Sequence, residues 1–412
     1  MTSLTIHRII NNLFSSTVLP GLFVFAWLAG FISLITLKVL LVGFVVLFII
    51  LPFIFRFCVT LQRGILFLTF ITYPPNIDFS RPEKLGVTAG RNFYVTHRDE
   101  EENVEINLGV WHLLPGFVAQ HFASQLALQP EDVKNITESG VETLPPPVVD
   151  ALEVVASQYG QRLSDDECKE FFEEVLSKVP GSIVLYLHGN TASRAAPHRV
   201  ELFKVLQRMG YHVVALDYRG YGDSGKVQPT EMGVIRDALA VYQYIRQRTP
   251  NPIFLWGHSL GTGVSAHMLS VMQKAGIDAP PAVVLESPFN NIREEIREHP
   301  FSKFYRHLPW FDFTITEPMH ANCLRFESDT HIGEFPQPIL ILHAEDDLVV
   351  PFKLGYKLYR QALDVRKKSW GPVEFHRFEG SSHYGHKYIC RAPNLPDIVR
   401  KFFDTYRNEK FF

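Results

Sequence analysis

Residues 252–266 read PIFLWGHSLGTGVSA, with Gly257-His258-Ser259-Leu260-Gly261 at their centre. This G-x-S-x-G lies between an apolar, strand-like run and a helix-like one. In a nucleophile elbow the serine occupies a strained strand-to-helix turn, and the residues two before and two after it must be small. Both are glycine here, Gly263 leaves further room, and Ile253-Phe254-Leu255-Trp256 supplies the preceding strand. The pentapeptide alone also arises by chance, since glycine and serine are common. Its context carries the reading, and the rest of the chain must supply a base, an acid and an oxyanion hole.

Outward from the elbow the chain alternates regularly. Apolar runs near 183–187, 212–218, 253–256, 282–286, 338–343 and 373–378 predict strands, and the segments near 199–209, 231–248, 261–275, 351–363 and 395–406 predict helices. Strands almost continuous in Val, Ile and Leu, interleaved with helices, imply an α/β fold whose mostly parallel central sheet is covered by helices on both faces. Chemistry in such sheets sits beyond the carboxyl ends of the strands. Upstream, 92–96 and 104–111 read as an antiparallel pair at the sheet edge, joined by a solvated acidic turn over 97–102. Residues 115–180 are irregular, broken by Pro145-Pro146-Pro147, and read as an insertion with an amphipathic helix over 165–178.

The missing parts fall at strand ends. After the 183–187 strand comes His188-Gly189-Asn190, a tight turn able to aim a backbone N–H at the site. In the α/β-hydrolase fold the oxyanion hole takes one N–H from this loop and one from the residue after the nucleophile, here Asn190 and Leu260. A late strand ends in Glu345-Asp346-Asp347, shortly before Pro351, a favoured first position of a helix. The acid must point into the cleft to hold the imidazole, which favours Asp347, with Asp346 second. The base comes from 379–388, EGSSHYGHKY, where both His383 and His386 qualify. The order Ser, Asp, His is that of the α/β-hydrolases. Adjacent carboxylates without a histidine at ligand spacing do not read as a metal centre.

Composition bounds the rest. The 412 residues carry a net charge of −3, giving no basic field for nucleic acid, and Cys58, Cys168, Cys323 and Cys390 are too scattered for a disulfide framework or a thiolate metal site. Between residues 17 and 55 the only charge is Lys38, flanked outside by Arg8, Arg56 and Arg63. That run is too long for a signal-peptide core, and too long and too lacking in a polar face for a buried core helix, and predicts a transmembrane anchor. It accommodates two short spans around Lys38, or one span with or without an interfacial segment before it. The expected division is an anchor over 1–60, a juxtamembrane connector over 61–82, and a catalytic domain over 83–412 with a cap-like segment at about 288–335.

The strings LYLHGN, GYHVVALDYRGYGDS, WGHSLGTGVS, LESPFNNIREE, LILHAEDDLVVPFKLGYKLY and YGHKYI together resemble the membrane-anchored α/β-hydrolase domain-containing lysophosphatidylserine and monoacylglycerol lipases. The resemblance runs from the second half of the apolar segment to near the C-terminus. It implies Ser259 as nucleophile, Asp347 as acid and His386 as base, with His383 the minor alternative because the preceding loop is shorter here. The insertion near 129–180 and the extra apolar run at 18–37 also depart from the family pattern. What the resemblance implies further is a lysophospholipid or monoacylglycerol substrate, no cofactor, and an endoplasmic-reticulum membrane setting with the catalytic domain lumenal. The same triad suits a protein S-acyl thioesterase, and a non-catalytic membrane-tethered binding protein is the remaining rival.

Overall fold

Eight strands build one sheet: β1 (Gly90–Asp99), β2 (Val104–Leu113), β3 (Ile183–Leu187), β4 (His212–Leu216), β5 (Ile253–His258), β6 (Val283–Glu286), β7 (Ile339–Ala344) and β8 (Val373–Phe378). In this computed structural model the described residues are 18–137, 144–160 and 162–409. Arg8, the charge preceding the apolar run, lies outside them. The strand order is β1-β2-β4-β3-β5-β6-β7-β8. β2 runs antiparallel to both neighbours, and all other pairings are parallel. Every residue of β3, β4 and β5 is buried, as the continuous apolar runs require when helices cover both faces.

The chain divides into two compact units. One comprises Phe67–Asn290 and Phe326–Phe412 and contains the whole sheet; the other comprises Met1–Leu66 and Asn291–Arg325. In the sheet unit, helices Pro197–Arg208 and Leu395–Tyr406 cover one face, and Phe254 of β5 stacks on Phe403 at 3.9 Å. Helix Leu260–Ala275 leaves β5 directly at the elbow and ends where Gly276 turns left-handed (φ +65°). The insertion carries its own apolar cluster, in which Phe171 and Phe172 of helix Asp165–Lys178 pack with Phe122 and Leu152.

The acidic turn differs from expectation. β1 runs on through Asp99, and Asp99 is buried rather than solvated. Its carboxylate accepts hydrogen bonds from Arg219 (2.9 Å) and Arg236 (2.8 Å), so charge pairing offsets the desolvation that a lone acid would suffer.

In the second unit, helix Val18–Leu28 is followed by a helix of 24 residues, Leu34–Phe57, long and apolar enough to cross a membrane. The break between them falls at Gly30, whose φ of +77° suits glycine alone, and Lys38 lies exposed within the long helix. The helix thus runs on through Lys38, and the break in the apolar run lies upstream of it. Asn291–Arg325, within the cap-like segment expected at 288–335, packs with this helix. Trp310 Nε1 donates to the Phe48 carbonyl at 2.7 Å, and the Arg56 guanidinium lies 3.6 Å from the Phe313 ring centroid.

Candidate active site

β5 ends and the chain reverses within one residue. Ser259 adopts φ +54°, ψ −119°, a conformation that costs an L-residue strain and is held by its surroundings. The flanking glycines explain themselves by space. A Cβ on Gly257 would stand 2.4 Å from the Gly261 carbonyl oxygen, and one on Gly261 would stand 2.0 Å from the Leu187 oxygen. The Ser259 N–H donates to the Glu286 carbonyl of β6 at 3.0 Å, fixing the elbow to the adjacent strand end. Leu260 opens the following helix, where the first N–H groups have no intrahelical acceptor.

The loop after β3 lies against Ser259, since a Cβ on Gly189 would come within 3.2 Å of Ser259 Cβ. Its course is set by groups the sequence reading passed over. Arg199, buried in the next helix, donates to the Thr191 carbonyl at 2.8 Å and also to that of Ser193. Tyr221 Oη donates to the Asn190 carbonyl at 3.0 Å. His188 packs its ring on Tyr218 and Tyr221, and burial holds it neutral by pushing its pKa well down.

Beyond β7, Asp347 is brought together with His386. His386 Nδ1 and Asp347 Oδ2 are 2.7 Å apart, and the other carboxylate oxygen accepts the N–H groups of Val349 and Val350 at 2.9 Å each. Burial raises the Asp347 pKa, but the His386 and His343 imidazoles outweigh it and hold the carboxyl well below the usual range. Asp346 instead accepts the Gly385 N–H, which shapes the loop that carries His386. His383 is exposed in a left-handed turn (φ +56°), and Asp347 is paired with His386.

His258, the variable residue inside the pentapeptide, has a part the motif does not spell out. Its Nε2 lies 2.8 Å from the His386 carbonyl, and burial first, then the nearby His386, keep it neutral. A neutral imidazole with Nε2–H donates to that carbonyl and so holds the His386 backbone to the elbow. Glu286 is wholly buried beside these residues, takes a hydrogen bond from Trp256 Nε1 at 2.8 Å, and is pushed up by burial to about 7.

One group of metal-ligand types, Glu231, His267 and His331, has atoms within 4.8 Å of one another; it is the one such group among the described residues. Each imidazole already holds a carboxylate: His267 pairs with Glu231 and His331 with Glu334, both at 2.9 Å.

The chain is similar to several known proteins. A family described as serine aminopeptidase, S33, matches residues 178–322. The lysophosphatidylserine lipase ABHD12 of Danio rerio is 38% identical over 89% of this chain and 83% of its own length. That of Mus musculus is 37% identical over 88% of this chain and 79% of its own. Among solved structures, the Pyrococcus furiosus esterase Pf2001 shares 16% identity at a TM-score of 0.48, covering 82% of this chain and 97% of its own.

Proposed function

Because this chain belongs to the lysophosphatidylserine lipase ABHD12 family of α/β-hydrolases, we propose that it cleaves the acyl ester of lysophospholipids, lysophosphatidylserine foremost, at a membrane surface. The chain is a serine ester hydrolase. The observation that carries the substrate reading is 37–39% identity to these lipases over nearly nine-tenths of the chain. Monoacylglycerols present the same ester on a smaller head and are the second proposed substrate.

In the proposed mechanism Asp347 occupies His386 Nδ1, which leaves Nε2 to take the Ser259 proton. Ser259 Oγ bonds to the acyl carbon, and the N–H groups of Asn190 and Leu260 stabilise the oxyanion that forms. His386 then delivers the proton to the leaving glycerol oxygen as its bond to the acyl carbon breaks. Water, deprotonated by the same imidazole, releases the fatty acid and restores Ser259. None of these steps draws on a metal or cofactor.

The proposed setting is the endoplasmic-reticulum membrane, with Leu34–Phe57 as the span and the catalytic domain on the lumenal side. Membranes carrying the wild type and Ser259→Ala test the enzyme assignment through a fluorophosphonate probe and lysophosphatidylserine turnover. The variant is expected to lose labelling and to lose at least about a thousandfold in hydrolysis. Equal labelling, or equal hydrolysis, rejects Ser259 as nucleophile. Faster turnover of an S-acylated protein than of any lysophospholipid would move the activity to the thioesterase class.

A further inference from the structure

The apolar helix Leu34–Phe57 has a mean hydropathy of 3.0 in its most apolar window, and at 1.5 Å per residue it extends about 36 Å, against a hydrocarbon core of about 30 Å. Pro52 lies within it. Proline has no N–H, so the Phe48 carbonyl one turn earlier gets no α-helical donor from residue 52. Over Val46–Ile50 the helix widens into a π turn. The Phe48 carbonyl receives the indole N–H of Trp310, at 2.7 Å. A backbone acceptor left bare in hydrocarbon is costly, which gives this bond a reason to exist.

Phe48 sits about 13 Å in from Phe57 along the axis; with the helix's roughly 6 Å excess over the core placed at the charged Arg56 end, it lies about 7 Å below the head groups, in the outer acyl region. The cap residues that meet it must share that depth. Besides Trp310, the Tyr305 ring lies 5.4 Å from that of Phe48. Further along both segments, Phe53 meets Phe313 at 6.0 Å, and Arg56 faces Glu317 at 4.0 Å. The cap thus runs alongside the span in the same direction, with residues near 305 innermost and Glu317 near the helix end.

Residues 299–311, HPFSKFYRHLPWF, hold five aromatic residues and the cations Lys303 and Arg306, with no carboxylate. Pro300–Phe304 is a 3-10 turn, in which residues three apart eclipse, so Phe301 and Phe304 share a face. They are 79% and 73% exposed, whereas the nearby Phe311 is 3% exposed. Two large apolar rings facing outward beside the span, with cations among them, match the composition of a segment that lies in a membrane interface.

We infer that residues 299–311 are themselves a membrane-contacting segment, with Phe301 and Phe304 entering the leaflet that surrounds the C-terminal half of Leu34–Phe57. The occupant of this face is lipid. Lys303 extends its stem along the acyl region and brings its ammonium to the head groups, where anionic lipid suits it. The inference rests on Leu34–Phe57 being the membrane span.

The test uses the full chain in vesicles of phosphatidylcholine and phosphatidylserine, with benzoylphenylalanine at one position at a time. Val42 marks the exposed side of the span, and Glu374 marks the solvent-facing surface of the sheet unit. Photolysis is expected to yield lipid adducts at Phe301, Phe304 and Val42, and none at Glu374. Protein adducts, or none, at Phe301 and Phe304 while Val42 captures lipid would overturn the inference and leave the span intact. No lipid adduct at Val42 would remove the span and the inference together.

Discussion

At the scale of single residues, the site is a set of strained or desolvated groups held in place by neighbours. Glu286 is the clearest case, because its burial has a measurable consequence. Its carboxyl sits at about 7 in the folded chain against 4.5 in the reference state, with burial as the main cause and the Trp256 hydrogen bond opposing it. The folded state therefore prefers the protonated acid. The stability this preference protects is complete below about pH 4.5 and is lost as pH rises through about 7. Glu286→Gln keeps an acceptor for Trp256 and removes the ionisation. Thermal unfolding of the two chains from pH 4 to pH 9 should show the variant gaining on the wild type by up to about 3 kcal/mol. Parallel curves would show that Glu286 ionises as freely folded as unfolded. At this scale Ser259 and the acids after β7 have motif positions in the sequence, whereas the choice of Asp347 over Asp346 and of His386 over His383 comes from the family resemblance. Glu286, Arg199 and His258 have no such signal. A buried side chain that holds another residue's backbone leaves no spacing signature, and its role follows from which carbonyl happens to lie near it.

At the scale of elements, the central strands were readable because burial on both faces demands uninterrupted apolar runs. The antiparallel edge is readable too, but an acidic turn looks solvated in sequence even where Asp99 is buried, and nothing in the pattern pairs β2 with β4. What the pattern hides is the polar clamp that ties strand ends together. Arg194, in the loop after β3, is fully buried and holds Asp217 beyond β4, Asp223 in the following turn (2.7 Å) and Asn92 of β1 (2.7 Å). No periodicity announces such a residue, since an arginine among polar loop residues reads as surface. Asp217 is itself wholly buried, and burial raises its pKa against the pull of Arg194. Arg194→Met would leave that carboxylate without its counter-charge, at an expected cost of about 3–5 kcal/mol in chemical denaturation. Adding Asp217→Asn should recover part of the loss, because the uncompensated charge is then gone. A double variant that loses as much as the two single variants summed would show that the pair is not coupled. The anchor was legible by length and composition alone, but its break was not. Gly30 was one small residue in an apolar run, and only its positive φ distinguishes the turn from a continuing helix.

At the scale of the whole molecule, the question is which side of the bilayer receives the chain after the span. If Leu34–Phe57 makes the one crossing proposed above, everything downstream lies on a single side. Two arguments pull apart. Arg56 and Arg63 follow the apolar run closely, which by the positive-inside tendency mildly favours the cytosol. The family resemblance favours the lumen. The charge argument is the weaker one, since Arg56 is engaged within its own unit by Phe313 and Glu317 and so is shielded by protein contacts. A lumenal domain has a chemical consequence at Asn135-Ile136-Thr137, a glycosylation acceptor. Asn135 is exposed just past the short helix Pro130–Lys134, so its side chain is open to modification. In sealed microsomes the domain is therefore expected to resist added protease until detergent is present. Endoglycosidase should shift the wild type and leave Asn135→Gln unchanged. Digestion of the domain in intact vesicles, with no sugar on Asn135, would put the catalytic unit in the cytosol and reverse the assignment of side. The fold and the proposed triad would stand unaltered, because neither depends on which leaflet the Arg56 end of the proposed span faces.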